Sequence, residues 1–464
     1  MALTCQTLYQ IFQSPAIQYT YDLYLNSMED VGSGLPPAEL LKALRDRETA
    51  WRELNWKSVE IVKAGPAGLA AYGYIAGVFA QTDGFDFSVF WLPSTTRKGT
   101  CVTTPIDFRI HDFIIDVPQD LVIFLHEELL PSGSGRGNLY CRTISTNQPH
   151  PACSASRTLS FEVPQHPQHG NITSVELELA VDILFLSIRQ GQGIRLLIWN
   201  WTMGLLIYDS FNQLSPFIND FDIVRRDVFI LISCADSGKI LIHQFSPTMV
   251  CTPVLIATLS LPEIMSTPRM IWFRAHSGQF QERPTPGTLF MPSPIARTHV
   301  FSAAYSSTVG GGRYALFVQS NTFLRYVDRG EEGQEVSWKE WGEEDCRFMA
   351  KRIGENWLRF AHGSCIVCNS IDKVGVDVFN FSSSRCNADS SASGSRERQY
   401  FSRDNPTVIS KDVKIFEEDV VTRLPYHVAS REMEETPFAY MIDEERIIGL
   451  KFGTDAVELT VYSF

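Results

Sequence analysis

The chain has 464 residues, 44% hydrophobic and 20% charged. This is ordinary globular usage, which excludes wholesale disorder and allows either about three domains or one large all-β unit. A formal net charge of −13 argues against a nucleic-acid binder that works by neutralising phosphates. No run approaches the ~20 apolar residues of a membrane span, and Met1-Ala2-Leu3-Thr4-Cys5-Gln6 lacks the basic and apolar regions of a secretory signal. The ten cysteines then read as reduced thiols of an intracellular, cytoplasmic or nuclear protein.

The first sixty residues read as helix. Leu3, Leu8, Ile11 and Phe12 share one face of a short segment, and Tyr19, Leu23 and Met28 continue in a second. Pro36-Pro37 precede a longer run in which Leu40, Leu44, Glu48, Trp51 and Leu54 recur at near-helical spacing. Proline suits the first helical position because its missing N–H would have no partner there. The apolar stripes are narrow, so these helices need a larger body to pack on.

From about residue 57 the period is two: short runs of Val, Ile, Phe and Tyr alternate with Gly, Asp, Asn and Ser, the pattern of many short strands. Four segments share one motif, a β-branched residue, a large ring, a small polar residue, an aromatic. They are Ile198-Trp199-Asn200-Trp201, Ile242-His243-Gln244-Phe245, Val378-Phe379-Asn380-Phe381 and Val461-Tyr462-Ser463-Phe464. Their last aromatics lie 44, 136 and 83 positions apart, near one, three and two multiples of the ~40–45-residue propeller period.

Seven hairpins with turn signals are expected, pairing 73–81 with 86–91, 121–126 with 139–144, 183–188 with 194–201, 228–234 with 239–245, 298–306 with 313–318, 365–369 with 374–381 and 446–452 with 457–464. Each would be the middle of a four-stranded blade. Phe464 ends a third strand, and Ser58-Val59-Glu60-Ile61-Val62 can supply the missing fourth. The expected fold is therefore all-β with a small N-terminal α-helical extension (1–56) and a seven-bladed β-propeller-like domain (57–464) closed by an N-terminal strand. Two stacked sandwich domains are the alternative. Long loops are expected at 127–157, 276–296 and 382–409, and the first two mark the face expected to bind a ligand. The acidic run 328–345 reads as a solvated loop.

Chemical motifs are sparse. Lys63-Ala64-Gly65-Pro66-Ala67-Gly68 has the outline of a dinucleotide-binding turn, but the next segment, Tyr72-Gly73-Tyr74-Ile75-Ala76-Gly77-Val78-Phe79, is β-rich where a helix is required. His362, Cys365 and Cys368, with Cys386, resemble a zinc set on paper. Cys365 and Cys368 fall three apart in a strand, pointing to opposite faces, so they read as buried thiols. His111, His126 and His243 read as strand or core residues, Asp443-Glu444-Glu445-Arg446 as an exposed turn, and Trp199 with Trp201 as core. No nucleophile–base pair or metal set is legible, so no cofactor is expected and the chain reads as an interaction module. A propeller-fold hydrolase or oxidoreductase, with carboxylates, histidines or a metal converging on the channel, is the alternative, as is a non-ligase scaffold.

Four stretches carry a family likeness. They are Leu3-Thr4-Cys5-Gln6-Thr7-Leu8-Tyr9 with Ser14-Pro15-Ala16-Ile17-Gln18-Tyr19; Met28-Glu29-Asp30 with Leu40-Leu41 and Arg47-Glu48-Thr49-Ala50-Trp51-Arg52-Glu53-Leu54-Asn55-Trp56; Asp116-Val117-Pro118-Gln119-Asp120-Leu121-Val122 with Leu197-Ile198-Trp199-Asn200-Trp201-Thr202-Met203-Gly204; and Leu424-Pro425-Tyr426 with Ile442-Asp443-Glu444-Glu445-Arg446-Ile447-Ile448-Gly449-Leu450 and Val461-Tyr462-Ser463-Phe464. With these the chain resembles the F-box-containing proteins of mushroom-forming (basidiomycete) fungi. The resemblance implies a substrate-recruiting F-box-like protein of a ubiquitin ligase. The helical end would dock the Skp-type adaptor of a cullin ligase, through Leu3, Leu8, Ile11 and Phe12, and the β-domain would recruit a protein substrate. The N-terminal part of the F-box is missing, since Met1 falls inside what resembles its third helix; a truncated gene model and a lost box both fit.

Overall fold

Apolar residues alternating along short strands leave each sheet with two faces to cover, and a ring of sheets covers both. The computed structural model describes residues 6–65, 70–131, 134–154, 158–163, 174–190, 193–306, 311–350, 359–370, 373–382, 396–453 and 456–464. Seven antiparallel sheets of four or more strands follow one another along the chain. From the inner strand outward, blade 1 is Ala71–Ile75, Val78–Thr82, Asp86–Trp91 and Thr100–Pro105; blade 2 is Asp112–Asp116, Leu121–Leu129, Gly135–Thr143 and Leu159–Val163; blade 3 is Val175–Ala180, Ile183–Gln190, Gly193–Asn200 and Leu205–Asp209. Blade 4 is Ile218–Arg225, Val228–Ser233, Lys239–Gln244 and Val254–Ser260; blade 5 is Arg269–Ala275, Thr298–Ser306, Gly312–Gln319 and Cys346–Met349. Blade 6 is Ala361–His362, Cys365–Asn369, Gly375–Asn380 and Tyr426–Glu432, with Arg396–Phe401 outermost. Blade 7 is Ala439–Ile442, Arg446–Phe452 and Val457–Ser463, completed by Ser58–Lys63.

The closure is as the sequence predicts. Ser58–Lys63 runs antiparallel to the last strand, from Ser58 opposite Ser463 to Lys63 opposite Glu458. The ring therefore cannot open without breaking a β-ladder. The core is a series of apolar clusters between neighbouring blades. Between blades 1 and 2, for example, Phe87 meets Phe124 edge-on at 4.9 Å among Val78, Val89 and Ile115. The four repeated motifs each end a third strand, and Trp201, Phe245 and Phe381 are buried there.

Several expectations are corrected. Residues 73–81 are not one strand but a hairpin, turned at Ala76-Gly77 with φ of +52° and +71°. This two-residue left-handed turn matches strand twist. Residues 127–157 are not one loop: the second and third strands of blade 2 extend to Leu129 and from Gly135. The second strand ends at Leu129 and the third at Thr143, at opposite ends of the blade, because successive antiparallel strands reverse direction; 132–133 and 155–157 lie outside the described residues. Within 382–409, strands Arg396–Phe401 and Thr407–Ile409 form, and 383–395 lies outside the described residues. The acidic run is not a solvated loop either. It spans the end of one helix (Ser320–Arg329), strand Gln334–Val336 and another helix (Trp338–Asp345). Gln334–Val336 adds to blade 4 in parallel, and the buried Trp341 donates Nε1–H to Ser260 O at 2.9 Å.

The N-terminal extension holds three helices, α1 (Gln6–Phe12), α2 (Pro15–Leu25) and α3 (Pro37–Arg52). Pro37 takes the first helical position of α3. Tyr19 and Leu23 of α2 pack on Leu40, Leu41 and Leu44 of α3, with Met28 and Phe290 closing this small core. No helix among the described residues is long and apolar enough to cross a membrane.

Candidate functional site

The inner strands supply an unexpected charge cluster. In Val175–Ala180, Leu177 and Leu179 are buried in the core between blades 2 and 3, so the alternating Glu176 and Glu178 point the other way, toward the ring axis. In Ile218–Arg225, Phe221 and Ile223 do the same for Asp220 and Asp222. The Glu176 and Asp220 carboxyls hydrogen-bond to each other. Burial first, and then the Asp220 charge, push Glu176 well up; burial raises Asp220 to about 6. Arg359 pairs with Glu178 at 3.3 Å. Burial raises Asp112 to about 6 as well. Sequence reasoning found no ionisable set on the axis, and that expectation is overturned. The signal was present as Glu-Leu-Glu-Leu and Asp-Phe-Asp-Ile, but only the ring places the two runs side by side.

A second group lies where blade 4 meets blade 5. His299 Nδ1 is 2.7 Å from Asp222 Oδ2, and His299 Nε2 is 2.9 Å from Ser320 Oγ. Arg297 reaches Asp222 at 3.1 Å and also donates to Ile223 O and Gly278 O; Ser277 donates to Asp222. Burial alone would raise Asp222, but Arg297 and His299 hold its carboxyl well below the ordinary range. Burial lowers His299, against the pull of Asp222. The order Asp–His–Ser matches a hydrolytic relay, which needs a reacting atom about 3 Å from the hydroxyl. Here His299 and Ser320 are both 0% exposed, with Phe323 edge-on over the imidazole at 5.1 Å. The relay is sealed, and it ties the 276–296 segment to blade 4.

That segment crosses the channel mouth. Gln279 Nε2 donates to Ile115 O in blade 2 at 2.8 Å, Phe280 is buried in the core between blades 3 and 4, and Thr285 Oγ1 donates to Glu444 of blade 7 at 2.9 Å. Gly278 passes the blade 6 backbone so closely that a Cβ would sit 2.1 Å from Ala361 O. Phe290–Pro292 then pairs with Met28–Asp30. The segment thus both covers the mouth and carries the helices. Helix α3 makes a second attachment: Trp51 stacks on Phe464 at 4.0 Å, Arg47 reaches Glu444 O at 3.1 Å, and Arg431 lies over Trp56 at 3.4 Å.

The candidate docking residues lie on the far side of this extension. Leu8 is 38%, Ile11 50% and Phe12 51% exposed. Leu3 lies outside the described residues. A stripe missed by sequence reasoning adjoins them: Ile17, Tyr21 and Tyr24 of α2 are 42%, 59% and 73% exposed. Their spacing of four and three puts them on one face of α2, opposite the buried Tyr19 and Leu23. The spacing was readable; which of two apolar faces turned inward was not.

The other singled-out motifs resolve structurally. Lys63 ends the outer strand of blade 7 and Ala71 begins the inner strand of blade 1, so Gly65 belongs to a link between strands, not to a strand–helix turn; Pro66–Leu69 lie outside the described residues. Cys365 and Cys368 lie in one strand, with the Cys365 thiol pushed up to about 12 by burial; Cys386 lies outside the described residues. His243 stacks on Phe229 at 5.3 Å, and burial lowers it to about 4. The expected exposed turn at Asp443 is instead buried. Asp443 is 2% and Arg446 3% exposed, paired at 3.1 Å, because they fold against blade 1, where Arg446 lies beside Gly77 and donates to Pro93 O at 2.8 Å; Glu445 of the same turn stays exposed.

No family model matches the chain, and no curated protein matches it. Among solved structures the chain is similar to the Dos1 propeller, 9% identical, covering 89% of this chain and 96% of that one with a TM-score of 0.37. It is also similar to the WD40 beta propeller domain of Doa1, 10% identical over 88% of this chain and 98% of that one, TM-score 0.31. The WD40 domain of SCAP from fission yeast is 8% identical over 83% and 82%, TM-score 0.30. These likenesses concern the fold alone, and the blade count rests on the strand order above.

Proposed function

We propose that this chain is a protein-interaction module, the substrate-recruiting F-box-like component of a ubiquitin ligase, whose helices α1 and α2 dock a Skp-type adaptor. The observation that carries this reading is the outward apolar face formed by Leu8, Ile11 and Phe12 with Ile17, Tyr21 and Tyr24, on helices held to the propeller at two separate attachments. Exposed apolar residues grouped on neighbouring helices suit an interaction site, and a double attachment constrains the distance between a docked adaptor and a substrate held by the ring. A propeller is an architecture well suited to presenting loops to a partner. The sealed relay offers no place for a substrate, which favours interaction over hydrolysis. Such a component works in the cytoplasm or nucleus.

The test is co-elution of the purified chain with a Skp-type adaptor, with and without any in-frame codons upstream of Met1. The triple variant Leu8→Asp, Ile11→Asp, Phe12→Asp is expected to lose binding by about a hundredfold or more, since buried apolar anchors dominate such interfaces. No adaptor binding by either form, or binding indifferent to the triple variant, would end the ligase reading.

A further inference from the structure

Two cysteines of blade 2 meet across a turn. Cys141 lies in the third strand, Gly135–Thr143, and is buried; Cys153 lies in the loop that leaves this strand and is half-buried. The chain between them folds back on itself. Arg142 bridges Pro149, the His150 N–H donates to Cys141 O at 3.0 Å, and the Cys153 N–H donates to His150 O at 3.0 Å. These bonds carry Cys153 toward Cys141, and each thiol acts on the other's titration. Both pack on the cluster between blades 2 and 3 that holds Leu139 and Trp201, and Cys153 Sγ lies 3.8 Å from Trp201 O. The turn is further pinned by His150 Nε2, 2.9 Å from Gln119 O.

The surroundings give the two sulfurs different chemistry. Cys153, half-buried on the turn, is the sulfur an oxidant reaches first, and its neighbour Cys141 favours its thiolate against a smaller opposing effect of burial. The thiolate is the attacking form in such an exchange. The neighbouring Cys153, followed by burial, pushes Cys141 far up, so it remains a thiol until a sulfur beside it becomes electrophilic. Cys141 is fixed by its ladder to Ile123 in the second strand, whereas Cys153 rides on a surface turn. Bringing the two sulfurs to the ~2.05 Å of a disulfide therefore moves mainly the turn.

We propose that Cys141 and Cys153 form a reversible disulfide, a redox-operated staple on the turn between them, with Cys153 attacking glutathione disulfide first and Cys141 resolving the product. The Cys153 thiolate attacks one sulfur of glutathione disulfide, that S–S bond breaks, and one glutathione thiolate leaves. Cys141 then gives up its proton and attacks the Cys153 sulfur, expelling the second glutathione thiolate. The protein loses two electrons and two protons, and glutathione disulfide is reduced to two thiols. Oxidation would lock the turn against Gln119 and Trp201, fixing the corner of the loop face where blades 2 and 3 meet.

The experiment incubates the reduced full chain in glutathione buffers of graded disulfide content, blocks remaining thiols, and maps disulfide-linked peptides by mass. The expected result is one intramolecular link between Cys141 and Cys153, a loss of two hydrogen atoms, reversed by dithiothreitol. Cys153→Ser should abolish it, and Cys141→Ser should leave a stable glutathione adduct at Cys153. A persistent glutathione adduct at Cys153 in the wild type, a link to some other cysteine, or no reaction at this pair while Cys101 reacts, would each overturn the proposal. The wild-type map alone decides between these outcomes if a variant fails to fold.

Discussion

Trp201 in blade 3 exposes 0% of its surface, while Phe12 on α1 exposes 51% and Tyr24 on α2 exposes 73%. The two regions have similar apolar content and opposite fates. In the ring, every blade has a neighbour on each side, so apolar residues of the middle strands are mostly covered, while some elsewhere, such as Ile61 and Val102 on outer strands, stay exposed. The extension is two helices leaning on a third, and each can bury only one stripe. α2 carries two, Tyr19 with Leu23 inward and Ile17, Tyr21 and Tyr24 outward. The ring leaves scattered apolar residues outside; the extension leaves a stripe along one helix, and this makes it a place to look for a partner.

Substitutions should separate the two sharply. Trp201→Ala is expected to cost about 3–5 kcal/mol, through the cavity and the loss of the Nε1 bond to Val181 O at 3.0 Å. The double variant Ile11→Ser, Phe12→Ser should stay within about 0.5 kcal/mol of wild type. Urea unfolding of both checks this. A helix variant that loses as much stability as the ring variant would mean that α1 is buried, and the contrast would collapse.

The relay between blades 4 and 5 sharpens the same point. Ser320→Ala should cost about 1–3 kcal/mol, because it leaves the buried His299 Nε2 without its partner at 2.9 Å. It should leave any background hydrolysis of an activated ester unchanged. If turnover fell to the buffer rate while stability held, the pocket would be open and the relay catalytic.

The ring was more legible in sequence than either candidate site. The hairpins, the repeated motif at the ends of third strands and the closing strand at 58–63 all follow from period-two alternation and turn residues, which are local signals. The hairpin at Ala76-Gly77 was missed because a two-residue turn interrupts so little of the strand pattern. The acidic run at 328–345 was misread because charge count outweighed the buried Trp341 and the half-buried Trp338, which anchor that segment. The axial carboxylates come from strands 40-odd residues apart, and the relay from residues 222, 299 and 320. No spacing rule brings those together before the ring exists. The α1–α2 face was half visible: its apolar residues could be read, but not which of them tertiary packing would leave outside.

The smallest effect expected concerns the axis, and its sign identifies its cause. Burial raises Asp112 from its usual value of 3.8 to about 6. Between these values the folded chain binds more protons at this site than the unfolded chain, so its contribution to stability is greatest below about pH 4 and is lost as pH rises through about 6. Asp220, also raised to about 6, acts in the same direction. His243, lowered to about 4 by burial, acts in the opposite one: the unfolded imidazole binds more protons between about pH 4 and 6.5, so stability rises with pH there. The wild-type profile is thus a partial cancellation, and Asp112→Asn uncovers one side of it. Asparagine keeps an oxygen to accept the Phe113 N–H, now bonded at 2.8 Å, but has no charge to desolvate. The variant should match wild type near pH 4 and exceed it by about 1 kcal/mol near pH 7.5, a figure reduced from the full shift because Asp112 is only half-buried. Urea midpoints at the two pH values measure the difference. A gap that stays flat from one pH to the other would mean that water reaches this carboxylate freely and that the axis is open where the 276–296 segment covers its mouth.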